Sequence, residues 1–78
     1  MNMLERLKEL KDVVDARTAE NNKSVKEILT KIDKSSFESE EEVDEAHALK
    51  KVLVSRVKSD NELSKHLAAA IHFEMVRD

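Results

Sequence analysis

The chain has 78 residues, of which 40% are charged, with a net charge of −3 and no glycine, proline or cysteine. That length allows one domain at most. The missing residue types exclude disulfides and thiolate metal sites, Gly-dependent hairpin turns and Gly-rich phosphate loops, leaving the composition of long, solvated helices with narrow apolar seams.

A chain this short buries only about 60% of its unfolded surface. With no covalent staple, association with another chain is the expected source of the missing core. No apolar run approaches the ~20 residues that span a bilayer, and the opening MNMLERLKEL has no signal-peptide core. The expectation is therefore a soluble, cytoplasmic protein with no membrane partner.

The first predicted element is a helix over residues 2–34. With Leu7 as zero and about 100° per residue, Met3, Leu10 and Val14 fall within about 60° of it. After the polar interval DARTAENNKS, Val25, Ile28, Leu29 and Ile32 return to the same arc, so the helical phase survives. Ser24 and Glu27 have the spacing of a helix-start capping box, but an unbroken phase means the helix reads through them. Arg17, Thr18 and Asn21 then lie on the apolar stripe. They form a solvated waist, or a polar layer that fixes register and partner number, as a buried Asn does in coiled coils; the remaining alternative is a break at Asn21-Asn22 that happens to preserve the phase.

A linker over 35–39 follows. Ser35, Ser36 and Ser39 compete with the helical backbone for hydrogen bonds, and Ser39 with Glu42 makes a capping box. Phe37 is expected to cover the end of the helix pair. The run ESEEEVDE, Glu38 to Glu45, holds six carboxylates in eight residues. Acidic side chains suit a helix N-terminus, and a duplex-binding protein would need the opposite sign, so no nucleic-acid partner is expected.

A second helix is predicted over 40–58, with Val43, Ala46, Leu49, Leu53 and Val57 on one arc. The next apolar stripe, Leu63, Leu67, Ala70 and Ile71, is displaced by about 85° on the same wheel. Supercoiling drift covers only around 50° of that. Ser59, Asp60 and Asn61 are weak helix formers and good caps, so a break is predicted over 59–61 and a third helix over 62–77. Short links make neighbouring helices antiparallel. The fold class is thus all-α: a small antiparallel helical hairpin or bundle, one long N-terminal helix packed on two shorter ones and completed by oligomerisation. Arg17 should lie near residues 56–60, where Asp60 is its candidate partner, so the polar layer comprises Arg17, Asn21 and Asp60.

The last helix has a surplus apolar face. His66, Ala69, Phe73 and Val76 lie off its stripe, and Val52 and Val54 lie at or beyond the edge of theirs. A narrow hairpin cannot cover them all, and a cluster of exposed apolar residues marks an interaction surface. His66, Ala69, Phe73, Val76 and Val54 are therefore the candidate self-association or partner surface, with a two-fold homodimer favoured and a different protein as the competing occupant.

Chemistry finds little footing. Asp44 with His47 and Glu62 with His66 share helical faces, but di-metal bundles need paired Glu-x-x-His motifs. No catalytic residue, metal ligand or cofactor site is assigned. Lys50, Lys51 and Arg56 could line an inter-subunit pocket for an anion. The leading functional expectation is a non-enzymatic, self-associating helical adaptor or inhibitor. The alternatives are an oligomer that sequesters a nucleotide-like anion between subunits, and an acidic mimic of nucleic acid built on Glu38 to Glu45.

Overall fold

The structure, a computed structural model, describes residues 2–34 and 37–77. It consists of α1 (Met3–Asp33) and α2 (Glu40–Val76), packed against each other as a hairpin. The rod measures 60 × 17 × 15 Å, as expected for helices of 31 and 37 residues at about 1.5 Å per residue.

Each helix begins on a side-chain cap. Asn2 Oδ1 accepts from the Glu5 amide at 2.9 Å, and Ser39 Oγ accepts from the Glu42 amide at 3.3 Å. Glu42 in turn accepts from the Glu38 amide at 2.9 Å, one residue before the cap. These contacts satisfy amides that have no intrahelical partner. Glu40, Glu41 and Glu42 fill the first turn of α2, where the helix dipole favours negative charge. Of the predicted linker, Ser35 and Ser36 lie outside the described residues.

α1 is continuous through Ser24, as the apolar phase requires. α2 corrects the sequence reading: there is no break over 59–61, and the two shorter helices are one. The reason lies in the seam. Apart from Ala70, the positions of α2 withdrawn from solvent are Val43, Ala46, Lys50, Leu53, Val57, Asp60, Ser64, Leu67, Ile71 and Glu74. They alternate steps of four and three, the spacing of a coiled-coil seam, and they cross residue 60 without a shift. Only the apolar subset jumps, because Leu63 and Ala70 belong to the neighbouring row while polar Asp60 and Ser64 occupy the seam. Tertiary contacts at Asp60 and Ser64 override weak local propensities of at most about 0.7 kcal/mol each.

α1 has the matching seam: Leu4, Leu7, Lys11, Val14, Thr18, Asn21, Val25, Ile28 and Ile32. Two cross-helix contacts set the register, Arg17 to Asp60 and Asp15 to Ser64, and they run in opposite chain directions, so the helices are antiparallel. In that register Leu7 is level with Ile71, Val14 with Ser64, Thr18 with Asp60, Val25 with Leu53, and Ile32 with Ala46.

The core is thin. Among the described residues Val14, 5% exposed, is the one buried apolar side chain, and Asp60, at 8%, the one buried charge. The chain exposes 6183 Å², against about 4,800 Å² for a compact monomer of its mass. Its radius of gyration is 17.4 Å, against about 11.5 Å for a globular chain of this length.

Candidate functional site

Around the two seams the hairpin presents two long edges and two outer faces. The pseudo-two-fold relation between antiparallel helices puts equivalent rows on the same edge. One edge carries the residues just before alternate seam positions: Met3, Leu10, Arg17, Ser24 and Lys31 from α1, with Leu49, Arg56, Leu63 and Ala70 from α2. The other carries Lys8, Asp15, Asn22 and Leu29 from α1, with His47, Val54, Asn61, Ala68 and Met75 from α2.

The edges differ in how they are closed. On the second, the Asp15 carboxylate accepts from Lys11 Nζ at 2.6 Å and from Ser64 Oγ at 2.7 Å. The Lys11 hydrogen bond, then the one from Ser64, holds the Asp15 carboxyl below the usual carboxylate range. This network covers the edge beside Val14 with polar groups, while Leu29, Val54 and Met75 stay exposed elsewhere along it, at 41%, 49% and 62%. The first edge is crossed at mid-rod by Arg17, whose Nε and Nη2 donate to Asp60 Oδ2 and Oδ1, each at 2.8 Å. To either side of that crossing it exposes leucine: Leu10 and Leu63 at 40% and 42%, Leu49 at 52%.

The mid-rod layer consists of Thr18 and Asp60, with Arg17 reaching in from the leucine edge. Thr18 turns its hydroxyl back to the Val14 carbonyl at 3.0 Å, which leaves the carboxylate to the guanidinium. The Arg17 hydrogen bond is the main cause of the lowered Asp60 pKa; burial opposes it, and the charges of Arg17 and Arg56 add to it. The same hydrogen bond raises Arg17. The Asp60 side chain is 12% exposed and that of Arg17 53%, so the pair sits at the wet margin of a rod two helices thick. Asn21 is not part of this layer. It is half-buried one layer nearer the loop, level with Val57.

The predicted partner surface is split. His66, Ala69, Phe73 and Val76 share the outer face of α2 and are all exposed, Phe73 and Val76 at 64%. Val54 lies apart from them, on the polar edge beside Asn61. The predicted anion group is also dispersed. Lys50 is a half-buried seam residue, Lys51 and Arg56 are exposed, and five residues place the last two about 140° apart around α2. No single cradle joins them. An open cleft of about 350 Å³ lies at the loop end, lined by Lys31, Phe37, Glu42, Glu45, Ala46 and Leu49; Phe37 is half-buried there. Among the described residues no three metal-ligating side chains gather, and no helix is long and apolar enough to cross a membrane.

Sequence reasoning missed the leucine edge and the Asp15–Ser64 contact. A seam drawn at alternating steps of three and four, polar residues included, would have found both. No protein-family model matches the chain, and neither a curated protein nor a solved structure shows significant similarity to it.

Proposed function

We propose that the protein is a non-enzymatic interaction module: a helical hairpin that self-associates and presents the remaining helix faces to a protein target, as an adaptor or inhibitor. The supporting observation is the mismatch between apolar content and burial. Among the described residues eleven large apolar side chains are at least 40% exposed, against one that is buried. Scattered exposed hydrophobes are ordinary, but this ratio in a hairpin with so thin a core favours contact with another chain. The alternative, an oligomer that sequesters a nucleotide-like anion between subunits, would have to gather Lys50, Lys51 and Arg56 from more than one chain, because the three are spread around α2. Of the acidic segment proposed as a nucleic-acid mimic, Glu40, Glu41 and Glu42 form the first turn of α2, where negative charge also has a structural reason.

Light scattering and a dye that fluoresces on exposed apolar surface test the reading together. The expected result is a mass above one chain, with dye signal per chain falling as concentration rises. A mass of one chain at every concentration, with no dye binding, removes it.

A further inference from the structure

We infer that the leucine edge, rather than the outer face of α2, is where a second copy of this chain docks, giving a two-fold four-helix bundle; this rests on the self-association proposed above. Area argues first. The hairpin exposes 6183 Å², about 1,400 Å² more than a compact monomer of its mass. A standard interface takes about 800 Å² from each partner, and obligate homodimers take more. A second hairpin laid along one edge has the right size to remove the excess.

Charge then chooses among the surfaces. The outer face of α2 is bordered by Lys51, Lys58 and Lys65, spaced seven apart in one row. A two-fold contact there would set one lysine row beside its copy, and like charges across an interface are costly. The edge of Asp15 and Ser64 also exposes Leu29, Val54 and Met75, but Met75 is parted from the other two by the Asp15 hydrogen-bonded network together with Lys8, Asn22 and Asn61. On the leucine edge the mid-rod guanidinium of Arg17 is already matched by Asp60, the charge of Arg56 also acts on that carboxylate, and the remaining cation, Lys31, lies at the loop end away from Leu10 and Leu63. Leu10 and Leu63 lie together on the terminal side of that pair and Leu49 on its loop side, and the half-buried Leu7, Leu67 and Ile71 lie behind the first two. A two-fold interface uses the same patch on both subunits. Leucine against leucine is self-complementary in that sense, and it would complete burial of a seam the hairpin leaves half open.

The test is the solution mass of the full chain by sedimentation, with helicity monitored by circular dichroism. The paired substitution Leu10→Lys/Leu63→Lys is compared with Val52→Lys/Phe73→Lys on the outer face and Leu29→Lys/Val54→Lys on the polar edge. Leu10 and Leu63 are already at least 40% exposed, so a lysine can keep its stem on the hairpin and its ammonium in water. The expected result is a dimer for the unsubstituted chain and for both control pairs, with dissociation raised on the order of 100-fold for Leu10→Lys/Leu63→Lys. A dimer indifferent to that pair, or broken by either control pair, overturns the assignment of the edge while self-association stands. A mass of one chain for the unsubstituted protein removes self-association itself. A second arm does not depend on the lysine variants folding. The chain has no cysteine, so Leu63→Cys should be joined to its copy by a short bis-maleimide and Val54→Cys should not. The reverse pattern overturns the proposal.

Discussion

Asp60 is the one charged group the described hairpin buries, and Arg17 holds it with two hydrogen bonds of 2.8 Å from the opposite helix. Forked guanidinium–carboxylate geometry is the strong form of this contact. A planar donor pair also fixes relative position along both helices, which an apolar seam alone does loosely. Breaking such a pair from one side leaves a charge without its partner, whereas replacing both members by apolar groups can be neutral. Asp60→Asn and Arg17→Gln should each lower the melting temperature, and Arg17→Met/Asp60→Leu should recover much of the loss. A double-mutant cycle on thermal melts measures the coupling. Additive single effects would mean the pair contributes nothing beyond its separate side chains.

The acid limb of stability should follow the same residues. Asp60 and Asp15 are both held below the ordinary carboxylate range by hydrogen bonds made only in the folded hairpin. A depressed folded-state pKa contributes stability above the unfolded value of about 3.9 and loses it as pH falls through the folded value. Melting temperature should therefore vary little with pH above about 5 through these two groups and fall below about 4. Asp60→Asn should flatten that fall, because Asn does not titrate. An equal acid dependence in the variant would assign it to other carboxylates.

How much of this was legible in the sequence depends on which signal each residue carried. Val25, Ile28 and Ile32 kept step with Leu7, so α1 could be read as one helix. Arg17 and Asp60 could be placed near each other once the chain was known to double back. The continuity of α2 could not be read from apolar residues, because Asp60 and Ser64 hold seam positions with polar side chains whose partners, Arg17 and Asp15, lie 43 and 49 residues away. A stripe drawn through Leu63 and Ala70 follows the edge instead of the seam. The same substitution of row for seam hid the leucine edge and put Val54 with Phe73.

Val13 and Val14 test how thin the core is. They are adjacent and chemically identical, yet Val13 is 61% exposed and Val14 5%. Val14→Ala removes buried methyl groups and should cost about 2 kcal/mol. In a chain this short, each kcal/mol lowers the melting temperature by roughly 4–8 °C. Val13→Ala should stay within about 0.5 kcal/mol of the parent. Chemical denaturation of the two variants gives both values, and equal losses would mean the seam is not where burial is concentrated.

The continuity of α2 through residue 60 makes a prediction of sign. Ser59 and Asn61 are exposed residues inside the helix, so their contribution is mainly local propensity. Alanine is the best helix former, and replacing either residue should stabilise the protein by roughly 0.5 kcal/mol. Were the chain to stop and restart here, one of them would serve as an N-cap, and its replacement by alanine would cost about 1 kcal/mol instead. Proline sharpens the contrast. Asn61→Pro removes an amide hydrogen bond from a continuous helix and should destabilise by about 3 kcal/mol, while the first turn of a new helix would tolerate it. Denaturation midpoints for Ser59→Ala, Asn61→Ala and Asn61→Pro therefore separate an unbroken α2 from a jointed one by the direction of change. Stabilisation by both alanines with loss on proline is the outcome that one continuous seam requires.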